Sequence, residues 1–121
     1  MADASPLDRE VLEAVFDSTG GDPEFMGELI DAYLADAPRQ LAAMQAAAEA
    51  GDAVELLRPA HSLKSASASL GAMQLSALSR EFEDMARRGE VGDARSVVEQ
   101  ASDELERVRD SLEGARAELG A

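Results

Sequence analysis

ARSVVEQASDELERVRDSLEGARAEL, residues 94–119, is the stretch on which the fold turns. Within it Val98, Ala101, Leu105, Val108, Leu112, Ala115 and Leu119 follow one another in steps of three and four without a fault. A stripe at that spacing is the buried face of a helix packed lengthwise against neighbouring helices. Charged and polar side chains fill the other positions. The spacing predicts a helix over 93–119, starting near Asp93.

The same period runs back toward the N-terminus. Leu75, Leu78, Phe82 and Met85 predict a helix over 72–88, stopped by Gly89. Before it, Asp52 and Glu55 have capping-box spacing and open a helix over 53–70, ended by Gly71 and bent by the interior Pro59. Asp22-Pro23 is a cap followed by proline at the first helical position. From there Met26, Ile30, Tyr33, Ala37, Leu41, Met44 and Ala48 predict a helix over 23–50. Pro38 falls inside this stripe and removes one backbone donor. The stripe keeps its phase across it, so one bent helix is expected rather than two. Ser5-Pro6, with Asp8 in capping-box position, predicts a first helix over 6–18 with Leu7, Val11, Ala14 and Val15 on its apolar side, stopped at STGG. Nothing reads as a strand, a solenoid repeat or a low-complexity linker. Short loops between long helices imply antiparallel neighbours. The expected architecture is all-α: one domain over 1–121, an antiparallel up-down four-helix bundle with a short additional N-terminal helix.

Composition narrows the class. At 121 residues the chain fits one domain with a real core. Hydrophobic residues are 45% of it but aromatic ones only 3%, so that core is aliphatic and its alanines allow close helix packing. A net charge of −14 argues against nucleic-acid backbones and anionic membrane surfaces as partners. The absence of cysteine excludes disulfides, thiolate-bound zinc and thiol catalysis. MADASPLDRE lacks the basic-then-apolar order of a secretory signal, and no run approaches the roughly 18 apolar residues of a membrane span. A cytoplasmic monomer is expected.

The chain's single histidine lies in AHSLKSASASLG, residues 60–71. A lone histidine is most often a satisfied core or helix-end residue. Helical phase speaks against that here. With His61 at zero and about 100° per residue, Leu56, Ala60, Leu63, Ser67 and Leu70 cluster between roughly 180° and 260°. That is the core stripe, and His61 faces nearly the opposite way. An idle surface histidine remains compatible with this phase. The residues sharing its face are Leu57, Arg58, Lys64, Ser65 and Ala68. Lys64 places a cation one turn from the imidazole, where it could hold an anionic group carried by the ring. Ser65 and Ala68 are small enough to let another molecule approach. An exposed imidazole is mostly neutral and nucleophilic at neutral pH, and histidine can act as a covalent carrier. These features point to a phosphoryl acceptor.

At this stretch the sequence resembles the histidine-containing phosphotransfer (HPt) domain family of two-component phosphorelays. The family motif, close to H-x-x-K-G with a second glycine beyond, stands here as His61-Ser62-Leu63-Lys64-Ser65 and Gly71. YLADAPRQLAAMQAAAEAGDAVELLRPAHSLK is similar to the family's long helix, turn and histidine helix, and GAMQLSALSREFEDMARRGE to the helix that follows. The resemblance spans about Leu7 to Leu119. It implies that His61 is the phosphorylated residue and Lys64 the cation that orients the phosphoryl group. Ser65 stands where the family often has glycine. Glu83 falls near a position where some members carry glutamine; a glutamate there would repel a phosphoryl group, so it is not counted in the site. Acidic runs such as EFED, residues 81–84, read as solvated helix faces.

The resemblance implies a relay between receiver-domain aspartates, with response regulators or a hybrid histidine kinase as partners. Leu57, Arg58, Ser65 and Ala68 would face the partner. No cofactor is expected on this chain, and magnesium is expected on the receiver during transfer. The chain has no G-x-x-x-x-G-K-[ST] loop and no room for a kinase domain, so a phosphotransfer intermediate is expected rather than an autonomous ATP-dependent enzyme. A related bundle that binds a kinase or receiver without carrying phosphate is the alternative. A two-metal bundle site would need paired Glu-x-x-His motifs; there is one histidine, and Arg58 stands three residues before it.

Overall fold

A computed structural model describes residues 6–92 and 94–119. It contains five helices: α1 (Arg9–Ser18), α2 (Pro23–Ala50), α3 (Ala53–Ser69), α4 (Met73–Arg88) and α5 (Ala94–Leu119). No strand occurs among the described residues. Three of the helices begin on an aspartate whose carboxylate takes an otherwise orphaned backbone N–H. Asp8 accepts from the amide of Glu10 at 3.1 Å, Asp22 from that of Glu24 at 3.0 Å, and Asp52 from that of Glu55 at 3.1 Å. Gly51 and Gly89 close α2 and α4 in the left-handed conformation that glycine adopts without steric cost.

α1 is shorter than its sequence signals imply. It starts at Arg9 with Asp8 as its cap, not at Pro6; Ser5, the expected cap, lies outside the described residues, as does Asp93 at the start of the last helix. The buried face also differs from the expected one. Leu12 is enclosed and Val11 and Val15 are half-buried, while Ala14, expected inside, is exposed. What sets the start is a tertiary tether. The Asp8 amide donates to the carbonyl of Gly71 at 2.7 Å, which fixes the N-terminus of α1 on the turn between α3 and α4. Gly71 has φ +86°, and a Cβ there would stand 2.6 Å from the Asp8 carbonyl oxygen, so only glycine fits.

Both interior prolines sit within unbroken helices. Pro59 is buried and borders a shallow groove with Ala43, Ala46 and Ala47 of α2. Its ring therefore serves as packing surface between the two helices.

α2 packs on α3 and on α5, and α4 likewise on both, so each long helix touches two others. Their apolar stripes meet in one core that includes Ile30, Met44, Leu56, Leu63, Leu75, Phe82, Val108 and Leu112. The stripes run as their spacing predicts except at the margins, where Ala48, Met85 and Leu119 are only half-buried. Arg116 of α5 pairs with Asp31 of α2 and lies across Gly27, where a Cβ would come within 3.2 Å of the guanidinium. Among the described residues no helix is long and apolar enough to cross a membrane.

Candidate functional site

α3 carries Leu56, Ala60, Leu63 and Ser67 into the core, which turns His61 outward. Ser67 is the small polar member of that stripe, and its hydroxyl meets the Tyr33 hydroxyl at 2.7 Å. After the turn at Leu70–Ala72, α4 runs back along α3. Ser76 begins this contact by donating its hydroxyl to the Lys64 carbonyl at 2.9 Å. About two turns further along α4, Glu83 comes level with His61.

Glu83 is the hub of the site. Its Oε2 accepts from His61 Nδ1 at 2.6 Å, and its Oε1 accepts from Lys64 Nζ at 2.6 Å. Arg87, one turn on, donates Nη2 to the same Oε2 at 3.1 Å. The Glu83 side chain is only 4% exposed, whereas its partners open to solvent: His61 59%, Lys64 30% and Arg87 60%. Burial alone would raise the Glu83 pKa. The hydrogen bond from Lys64, helped by those from His61 and Arg87, outweighs burial and pulls it down to about 2.

That direction fixes the histidine tautomer. An ionised carboxylate can only accept, so Nδ1 must carry the hydrogen it shares with Glu83. The neutral ring then has its lone pair on Nε2. Most of the ring stays accessible, so the arrangement is an oriented nucleophile with two cations beside it.

The structure brings His61 and Lys64 together through Glu83, the residue that sequence reasoning left out. This corrects one expectation. Glu83 is not part of a solvated acidic face: within EFED, Glu81 and Asp84 are exposed while Phe82 and Glu83 are buried. Three donors converge on its carboxylate. A signal was present in the sequence. Ser76, Ser79 and Glu83 repeat in steps of three and four beside the apolar stripe, and all three are buried, Ser76 and Glu83 against α3. Of the residues expected to face a partner, Arg58 and Ser65 are exposed and Leu57 and Ala68 half-buried. None of these four joins the hydrogen-bonded cluster.

Comparison with known proteins gives a consistent result. The family model described as the Hpt domain matches residues 28–111. The crystal structure of histidine-containing phosphotransfer protein B (HptB) from Pseudomonas aeruginosa PAO1 is similar at 33% identity with a TM-score of 0.87, covering 96% of this chain and 98% of that one. The HPT domain of the Hpt sensor hybrid histidine kinase from Shewanella shares the fold at 21% identity and a TM-score of 0.72, covering 98% of this chain and all of that one. No curated protein matches the sequence.

Proposed function

Because the chain belongs to the Hpt domain family, we propose that it relays a phosphoryl group between aspartates of receiver domains in a two-component phosphorelay, with His61 as the covalent carrier. The observation that carries this reading is the 2.6 Å hydrogen bond from His61 Nδ1 to the buried carboxylate of Glu83. It holds the ring in one orientation and leaves Nε2 as the nucleophile.

In the accepting step Nε2 attacks the phosphorus of an aspartyl phosphate. The Nε2–P bond forms as the P–O bond breaks, and that electron pair returns to the aspartate carboxylate. The ring becomes positively charged but need not lose a proton, because Nδ1–H already points at the Glu83 carboxylate. Passing the group on reverses these events at a second receiver aspartate. Transfer of this kind relies on in-line positioning and neutralised charge. Lys64 contributes a cation beside the ring. The receiver supplies magnesium and this chain binds no cofactor. Leu57, Arg58, Ser65 and Ala68 form the surface next to the ring on which the receiver rests.

The reading also includes a single-domain cytoplasmic monomer in which α2 to α5 form an antiparallel up-down bundle and α1 covers one end. Short connections between the long helices and their pattern of contacts support that arrangement.

The test is transfer itself. Incubation with phosphorylated receiver domains should place acid-labile, base-stable phosphate on the wild type and none on His61→Gln. Label on His61→Gln would overturn the site assignment. Lys64→Ala should keep the fold and lower labelling about tenfold, the effect of losing a hydrogen bond to a charged group. Unchanged labelling would remove Lys64 from the site.

A further inference from the structure

Whether Glu83 meets His61 depends on how far α4 is slid along α3. By helical phase, the buried Ala60 and Ser67 lie on the Lys64 side of α3, and the buried Ser79 lies beside Ser76 and Glu83 on α4. Small side chains let two helices approach closely, but they raise only shallow ridges, so apolar packing alone sets the register weakly. Directional polar contacts then carry more of that task. Ser76 and Glu83 are seven residues apart, two turns of helix, so they point from α4 toward α3 on one line. Both end on Lys64. Ser76 donates its hydroxyl to the Lys64 carbonyl at 2.9 Å, and Glu83 accepts from the Lys64 ammonium at 2.6 Å. The two bonds differ in what they hold. A backbone carbonyl is fixed by its own helix, whereas the ammonium rides on a flexible stem and can follow Glu83. The Ser76 bond is therefore the one that ties α4 to a definite place on α3. Ser79 provides the contrast: its hydroxyl is spent on the Leu75 carbonyl of its own helix at 2.9 Å and ties nothing across the interface.

We propose that Ser76 is a positioning residue of this site: its bond to the Lys64 carbonyl sets the register of α4 on α3 at which the Glu83 carboxylate meets His61 Nδ1. The inference rests on the phosphotransfer reading for its consequence and deepens it. Without the Ser76 hydroxyl, α4 settles a fraction of a turn along α3. The Lys64 stem follows Glu83, but the shorter imidazole cannot, so the bond to Nδ1 is the one that weakens. The ring is then held in one tautomer for only part of the time, and Nε2 is the nucleophile for only that part.

Because the chain has one histidine, its ring gives unambiguous ¹⁵N NMR signals. Above the ordinary imidazole range the wild type should show a single tautomer, protonated on Nδ1. Ser76→Ala should show a mixture of the two tautomers. It should also take phosphate from phosphoramidate about fivefold more slowly, the effect of losing one neutral hydrogen bond. In that reaction Nε2 attacks phosphorus, the donor's P–N bond breaks, ammonia leaves with the electron pair and an Nε2–P bond forms. Ser76→Thr keeps the hydroxyl and should match the wild type in both measurements. Ser79→Ala, which removes a hydroxyl that crosses no interface, should change neither. In a Glu83→Ala background, Ser76→Ala should slow labelling no further, because it acts through Glu83. A wild-type ring spectrum in Ser76→Ala overturns the proposal. So do the same changes in Ser79→Ala, or a further fivefold loss in the Glu83→Ala background. A wild type that takes no phosphate on His61 overturns the phosphotransfer reading, and the ring spectra alone then decide whether Ser76 places Glu83.

Discussion

Two glutamates of this chain are almost equally buried, and they behave in opposite ways. The side chain of Glu83 is 4% exposed and that of Glu104 7%. Glu83 receives three hydrogen bonds, and its pKa falls to about 2. Glu104, on α5, has Arg107 at 3.4 Å from Oε1, while its Oε2 is buried without a hydrogen-bond partner. Burial pushes its pKa up, and Arg107 only partly opposes this. Burial is common to both, so it cannot be what makes Glu83 a site. Convergent donors do that: they turn a costly buried charge into a fixed acceptor, and the acceptor orients the histidine.

The sharpest way to break this contrast is Glu83→Ala. It removes the shared acceptor of His61, Lys64 and Arg87, and it should cost on the order of 2 kcal/mol at pH 7, allowing for the solvent exposure of the partners. The pH dependence has a definite sign. A carboxyl whose folded pKa is depressed stabilises the protein above its ordinary value near 4.5, and that stability is lost as pH falls toward about 2. Urea midpoints of wild type and variant should therefore differ at pH 7 and converge in strong acid. A gap independent of pH would mean that Glu83 contributes only packing.

Glu104→Leu should move stability the other way. Its raised folded pKa means that the charged form is penalised at neutral pH, and the penalty disappears once the group is protonated in both states. The variant should gain about 1 kcal/mol at pH 7, with the advantage shrinking as pH falls through the raised folded value and gone by the ordinary value near 4.5. Phosphate labelling of His61 should not change. A lower urea midpoint at pH 7 would show that the Arg107 contact outweighs the burial of the charge.

The same contrast marks what was legible in the sequence. Helical phase alone turned His61 away from Leu56, Ala60 and Leu63, because period and burial are nearly the same information. The interior faces of α2, α3, α4 and α5 followed from the same arithmetic. The partners of Glu83 and Glu104 were not legible, because phase says only that a residue lies near a helix interface. Which donors converge on it depends on the register between helices, and no single helix carries that. The start of α1 failed for a similar reason. Ser5, Pro6 and Asp8 are all acceptable local start signals, and the choice was made by the Asp8 amide bonding to Gly71, 63 residues away along the chain.

The smallest expected effect comes from the neutral counterpart of these two carboxylates, the buried Tyr33–Ser67 pair, whose hydroxyls meet at 2.7 Å. Burial, with the nearby charge of Glu104, pushes the Tyr33 pKa up to about 12, so the pair stays neutral across the working range. Tyr33→Phe keeps the ring packed and removes one hydroxyl. Leaving Ser67 without a partner would ordinarily cost about 1–3 kcal/mol. Ser67 has a fallback, however. Ser79, equally buried on α4, satisfies its own hydroxyl by donating to the Leu75 carbonyl one turn back, at 2.9 Å. Ser67 can rotate to its own preceding turn in the same way. The loss should therefore sit near the low end, about 0.5–1 kcal/mol by urea denaturation, and it should not depend on pH between 5 and 8. A loss above about 2 kcal/mol would show that Ser67 is held in its present rotamer and has no such escape.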